Sequence, residues 1–256
     1  MACVGDEAPG RATEKLLIFD LDGTLYPAGE YTRHIRKNLF KFMHEHGMVD
    51  DLETAEAVWR PLFLRYNQSY KGLVSGGFQF DRDQYWKQHR EGGELFVRRD
   101  EGLIETLRKM PFEKVIFTNC REAEAIDMLR ILGVEDLFSK VYGADFLGDT
   151  CKPEEDSFTK VTDDLNASGK DMYFFEDSIK NLKTGKKFGM KTVLIEGMTA
   201  TEEAKQVVKT AGITSSSQEE NKSDFIDTAI PTLSDGGDAL RNAFPELFLA
   251  APSNMN

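Results

Sequence analysis

Two aspartates, Asp20 and Asp22, stand two positions apart where the apolar run Leu16 to Phe19 gives way to Gly23 and Thr24. At the end of a strand such a spacing lets both carboxylates project together, and open α/β sheets take their ligands at that edge. Two carboxylates so close repel each other unless a cation lies between them or one keeps a proton. The pair therefore points to a metal, a phosphate, or both. Further polar groups follow later runs: Thr118-Asn119, then Lys152-Pro153 after the short stretch near Val141, then Glu176-Asp177.

These residues need strands to carry them. Leu16 to Phe19, Lys114 to Thr118, a short stretch near Val141, Met172 to Phe175 and Lys191 to Ile195 read as strands separated by helical patterns. Helices are expected from Gly102 to Met110, from Arg121 to a stop at Gly133, from Pro153 to Leu165 and from Ser178 to Phe188. Pro153 followed by Glu154, Glu155 and Asp156 suits a first helical turn. Alternation of this kind predicts an α/β fold with a parallel sheet. Phe225 to Ile230 reads as a last strand and Gly237 to Leu247 as a last helix. From Tyr31 to about Arg99 the pattern is helical and aromatic, without a buried-strand run, which marks a helical insert. Residues 1–14 read as a flexible polar tail, and Thr199 to Asp224 as a short helix with a polar loop.

In order, the four strand-end motifs resemble those of the haloacid dehalogenase superfamily of phosphohydrolases, over about Lys15 to Ile195. Phe19-Asp-Leu-Asp-Gly-Thr-Leu-Tyr26-Pro27, Phe117-Thr-Asn119, Cys151-Lys-Pro153, Phe174-Phe-Glu-Asp-Ser178 with Asn181, and Phe244-Pro-Glu-Leu-Phe248 are similar to the pyrimidine 5′-nucleotidase branch of fungi and plants. The resemblance implies a Rossmann-like parallel-sheet core, residues 15–29 and 100–256, with an inserted α-helical cap over residues 30–99. It also implies Mg2+ as cofactor and a small phosphorylated metabolite, a nucleoside monophosphate in this branch, as the partner.

The chemistry of the residues fits that resemblance. Asp20 can attack phosphorus and form an aspartyl-phosphate, dividing hydrolysis into two displacements. Asp22 would protonate the departing oxygen and later take a proton from water. All four histidines, His34, His44, His46 and His89, lie in the insert, so a carboxylate is expected to do the acid/base work. Lys152 and a divalent ion would neutralise the loose phosphoryl transition state. Thr118 can donate to a phosphate oxygen, with the amides of Asn119 and Cys120 at a helix start adding an anion site. Oxygen ligands favour Mg2+, through the carboxylates of Asp20 and Asp177 and the main-chain carbonyl of Asp22. Glu176 stands where the branch commonly has aspartate, so water-mediated support is expected from it. His44-Glu45-His46 is set aside, because residues i and i+2 do not share a helix face.

Composition narrows the class. The chain has 256 residues and a net charge of −12, which argues against a nucleic-acid polymer or an anionic membrane as partner. No apolar run approaches the roughly 20 residues of a membrane span. Three cysteines cannot all pair within one chain and no secretory signal opens it, so a cytoplasmic setting is expected. A cysteine phosphatase would need arginine six positions after its cysteine, where Pro9, Ile126 and Ser157 stand instead. A Walker phosphate loop is absent from the sequence. Halide-removing relatives lack the second acid, so Asp22 favours phosphate chemistry.

Within the resemblance, the core carries the reaction and the cap chooses the substrate. Tyr66, Asn67, Gln68 and Tyr70 precede the Gly72-Leu73 and Gly76-Gly77 segment and offer aromatic faces and amides for a planar base on a loop. UMP and CMP are the expected substrates. A sugar-phosphate phosphatase or mutase of the same superfamily is the alternative, and a non-catalytic binding protein a more distant one.

Overall fold

The computed structural model describes residues 15–197, 224–235 and 237–249. Six strands form one parallel sheet in the order β3-β2-β1-β4-β5-β6: β1 Leu16–Phe19, β2 Glu113–Phe117, β3 Lys140–Tyr142, β4 Met172–Glu176, β5 Lys191–Ile195 and β6 Thr228–Ile230. The α/β reading of the sequence holds, strand by strand. Both the expected N-terminal tail and the expected segment after Thr199, up to residue 223, lie outside the described residues.

Successive side chains on a strand face opposite ways, and here each face is apolar. Leu17, Phe19, Ile116, Phe175 and Val193 join one cluster, while Leu16, Ile18, Val115, Phe117, Phe174 and Leu194 join the other. Strands buried on both faces need helices on both sides. One side receives α5 (Glu101–Arg108) and α6 (Glu122–Leu132), whose Leu103, Leu107, Met128 and Leu129 enter the first cluster. The other receives α8 (Glu155–Leu165) and α9 (Ile179–Lys187), through Phe158, Val161, Ile179 and Leu182. The short α7 (Ala144–Leu147) follows β3. Gly133 ends α6 at φ 78°, the left-handed conformation that a glycine adopts without a Cβ penalty.

Four helices fill the stretch between β1 and α5: α1 Gly29–Glu45, α2 Leu52–Tyr66, α3 Ser69–Ser75 and α4 Arg82–Arg90. Asp51, Asp81 and Asp100 start α2, α4 and α5 by accepting the backbone N–H three residues on. Leu39, Phe42, Met43, Trp59, Leu73, Tyr85 and Trp86 form an apolar cluster of their own among α1 to α4. The segment expected as a base-binding loop is instead the join between α2 and α3, with Asn67 at φ 55° closing α2.

Two helix boundaries differ from expectation. Pro153 does not open α8; it follows a cis peptide bond to Lys152, and α8 begins at Glu155. Glu154 is held extended, its carboxylate accepting from Thr150 Oγ1 and the Cys151 N–H and pairing with Lys71. The last helix, α10 (Asp238–Ala243), stops short of Leu247 because Pro245 disfavours helical backbone at Phe244. A 3-10 turn, Pro245–Leu247, continues it and buries Leu247 against the sheet.

Candidate active site

Asp20 extends β1 by one residue: its N–H donates to the Phe175 carbonyl at 2.9 Å, and its side chain leaves the sheet at the carboxyl edge. Leu21 turns back into the apolar core, and Asp22 returns to the side of Asp20. Gly23, at φ 86°, makes that reversal possible. The two aspartates, Thr118, Lys152, Glu176 and Asp177 line one cavity of about 520 Å³. These residues, from the ends of β1, β2 and β4 and the loop after α7, are brought together.

Lys152 is 1% exposed, and its ammonium has three donors. All three are in use, on Asp20 Oδ1 at 2.7 Å, Glu176 Oε2 at 2.7 Å and the Phe117 carbonyl at 2.6 Å. Burial pulls the pKa of Lys152 down, but the adjacent Asp20 and Glu176 outweigh it and hold the amine charged. Glu176 pairs directly with Lys152 through Oε2, and its Oε1 accepts the Ser178 N–H at 3.0 Å. Burial, then repulsion from Glu176, raises the Asp20 carboxyl to about 7 against the attraction of Lys152. Asp177 is also pushed well up, by burial and by Glu176 and Asp20.

Asp20, Glu176 and Asp177 offer carboxylate oxygens that lie within 4.8 Å of one another. An all-oxygen donor set with surplus negative charge suits a hard divalent cation, and the raised carboxyls mark the repulsion such an ion would relieve. These residues therefore fit Mg2+, which would supply positive charge to a transferring phosphoryl group.

Thr118 is buried, and its Oγ1 accepts the Cys120 N–H at 3.2 Å. The Cys120 amide is therefore engaged within the loop, and α6 starts only at Glu122, so the expected helix-start anion site is not formed as described. Asn119 turns its side chain to the main chain of Lys152 and to the Asn67 carbonyl.

Residues of the helical layer close the cavity. Asn67 Nδ2 donates to Asn181 Oδ1 at 3.3 Å and to Ser178 Oγ at 3.4 Å, while Gln68 Nε2 donates to the Asn119 carbonyl at 2.7 Å. Both line the cavity; Tyr66 and Tyr70 do not. The Tyr70 ring packs among Phe80, Tyr85 and Trp86, and Tyr66 stands beside Arg65 and Lys71. The aromatic wall is built instead by Trp59, Phe63 and Trp86, with the Arg36 guanidinium 5.1 Å over Trp59.

Arg90, at the end of α4, was not foreseen. It is buried and pairs with both oxygens of Asp22, which also accepts the Tyr26 hydroxyl. His89 reaches the cavity as well, although its position in the insert had argued against an acid/base role. Burial, then the charge of Arg90, lowers its pKa to about 3, which keeps it neutral and unsuited to donate a proton. The i, i+3 and i, i+4 spacing of Tyr85, Trp86, His89 and Arg90 was the available signal, since it sets them on one helix face.

A family model described as haloacid dehalogenase-like hydrolase matches residues 17–195, more than half of the chain. The chain belongs to that family. Among curated relatives of this haloacid dehalogenase-like hydrolase, phosphate metabolism protein 8 of Saccharomyces cerevisiae is 27% identical over 212 residues, covering 74% of this chain. The chain spans 63% of the length of that yeast protein. A glyceraldehyde 3-phosphate phosphatase of Pyrococcus abyssi is 23% identical over 199 residues, 70% of this chain and 80% of the relative. Among solved structures, the L-2-haloacid dehalogenase of Xanthobacter autotrophicus superposes with a TM-score of 0.54 at 17% identity, covering 90% of this chain and 98% of the other. That likeness shows the fold. Among the described residues, no helix is long and apolar enough to cross a membrane.

Proposed function

We propose that this chain is a Mg2+-dependent phosphomonoester hydrolase that works through an aspartyl-phosphate on Asp20 and prefers pyrimidine nucleoside 5′-monophosphates. The observation that carries the reaction is the meeting of Asp20, Asp22, Lys152 and Asp177 at one end of a cavity roofed by the helical layer. Asp20 attacks phosphorus; Asp22 gives a proton to the leaving oxygen and then takes one from water. Lys152, fixed on Asp20 and Glu176, aims the nucleophile and offsets charge as the phosphoryl group moves. Asp20 and Asp177 would hold the metal through their carboxylates and Asp22 through its carbonyl, with Glu176 supporting the set. Thr118 remains the proposed donor to the phosphate, and Asn119 supports the site through the loop it holds. The core is taken as residues 15–29 and 100–256 and the cap as residues 30–99.

The cavity supports a leaving group larger than a triose. Its volume of about 520 Å³ lies within the usual range for drug-sized ligands, roughly 300–1,000 Å³. Trp59, Phe63 and Trp86 supply aromatic faces for a planar base, while Asn67 and Gln68 add amides to the lining where the helical layer bonds to the core. A sugar-phosphate phosphatase is the second reading, favoured by the name of the Pyrococcus relative. Phosphate release measured across UMP, CMP, AMP, glucose 6-phosphate and glyceraldehyde 3-phosphate, with and without Mg2+, separates the two. No release from any of them with Mg2+ would overturn the hydrolase assignment.

A further inference from the structure

The acid/base carboxylate is not free in this structure. Asp22 Oδ1 accepts the Tyr26 hydroxyl and one Arg90 nitrogen, and Oδ2 accepts the other terminal nitrogen of Arg90. A carboxylate gripped on both oxygens by a guanidinium cannot present a proton to a leaving group. Something must displace Arg90 before Asp22 can act.

The charges around the cavity identify what does so. Among the described residues, Asp20 and Glu176 pair with Lys152 and Asp22 with Arg90, while Arg33, Arg36 and Lys180 line the same cavity without pairing with these acids. Lys152 has no donor left for an incoming phosphate, since its three N–H groups are spent on Asp20, Glu176 and the Phe117 carbonyl. Arg90 has donors to spare: its Nε is buried without a partner. The guanidinium lies 5.4 Å over the Tyr31 ring, and Tyr31 packs edge-on against Tyr26, so an aromatic shelf supports the side chain beside Asp22. A planar fork with an unused donor is well matched to phosphate oxygens.

We propose that Arg90 exchanges partners on substrate binding, leaving the Asp22 carboxylate for oxygens of the phosphoryl group, so that Asp22 is released only when a phosphate occupies the site. This rests on the phosphohydrolase reading above. It assigns Arg90, carried by the helical layer, to the phosphate and not to the leaving group. Its loss must therefore be felt by every phosphomonoester, whatever its organic part, and by inorganic phosphate itself.

The test uses the full-length protein with Mg2+, p-nitrophenyl phosphate as substrate and inorganic phosphate as inhibitor. Arg90→Gln and Arg90→Ala should weaken phosphate inhibition and lower kcat/KM by about tenfold or more, the scale of a lost buried charge-assisted contact. Arg90→Lys should recover part of both, and added guanidinium should partly restore Arg90→Ala. A folded Arg90→Ala protein, checked by circular dichroism and Tm, that keeps its phosphate inhibition constant within about twofold would overturn the proposal. Equal loss of phosphate inhibition in Arg36→Gln would overturn the assignment to Arg90. Should the wild type release no phosphate from any monoester, the hydrolase reading falls. Calorimetric titration of wild type and Arg90→Gln with inorganic phosphate then still decides whether Arg90 binds the anion.

Discussion

Asn119 grips the main chain of Lys152 from both sides, its Oδ1 accepting the Lys152 N–H at 2.9 Å and its Nδ2 donating to the Lys152 carbonyl at 2.9 Å. The loop after β3 is thereby pinned to the end of β2, and the Lys152 ammonium is delivered to Asp20. Partners that orient the ligands of a metal site typically cost about 10–100-fold in affinity or activity when removed, and Asn119 orients Lys152 beside such a site. Asn119→Ala should therefore lower kcat by roughly that factor with a smaller change in KM. A kcat within about twofold of wild type would show that Lys152 holds its position without this pair.

The nucleophile assignment predicts a sharper loss. Asp20→Asn keeps the shape of the side chain but removes the charge that attacks phosphorus, so turnover should vanish while circular dichroism is unchanged. Asp22→Asn should also cripple hydrolysis, because neither proton transfer has a carrier. Beryllium fluoride should inhibit the wild type by mimicking the acyl-phosphate. Near-normal rates in Asp20→Asn, free of deamidated protein, would exclude aspartyl catalysis.

Asp20, Thr118 and Glu176 were legible in the sequence because each ends or follows an apolar strand, whereas Lys152, in the loop beyond α7, was legible only through the order of the motifs. Phe19, Phe117 and Phe175 are fully buried, and a polar residue following such a run has only the sheet edge to occupy. Helical spacing sets Arg90 on one face with Trp86, but it does not tell whether that face meets solvent or a carboxylate 68 residues away. Tyr70 failed for a related reason. Aromatic content marks a helical layer that must pack, but not which ring turns inward; Tyr70 met Tyr85 and Trp86, while Trp59 and Phe63 reached the cavity. The sequence offers the main-chain amide of Asn119 to a phosphate; the use of both ends of its side-chain amide on Lys152 depends on a loop geometry that no spacing reveals.

On the proposed ligand set, the crowded acids would make metal binding pH-dependent. Burial and Glu176 lift Asp20 to about 7, above the ordinary value near 4. A raised carboxyl favours folding in its protonated form, so its contribution is complete below the ordinary value and is lost as pH climbs through about 7. A divalent ion competes with that same proton. Mg2+ should therefore raise Tm more at about pH 8 than at about pH 5.5, and EDTA should abolish activity reversibly. Asp177→Ala should increase the half-saturating Mg2+ concentration about tenfold or more, and Glu176→Gln less, because Glu176 Oε2 is already held by Lys152. A Tm gain independent of pH, or equal effects of the two substitutions, would contradict this ligand set.

Substrate choice tests the cap. Tyr70 is held in the packing of the helical layer, so Tyr70→Ala should cost stability before it alters selection among substrates. Phe63 is the better probe: it lines the cavity, stacks on Trp59 at 4.9 Å and is only half-buried, so its truncation can leave the fold intact. Binding energy from a remote part of the substrate is spent on positioning the reacting end. Phe63→Ala should therefore lower kcat/KM for UMP and CMP about tenfold, the scale of a lost aromatic contact, and lower it less for p-nitrophenyl phosphate, whose ring is smaller and joined directly to the phosphate. Wild-type kcat/KM should favour UMP and CMP over AMP and glucose 6-phosphate. If AMP or glucose 6-phosphate is turned over as well as UMP, and Phe63→Ala affects every substrate equally, the aromatic wall is packing alone and the chain is a phosphatase of broader small metabolites.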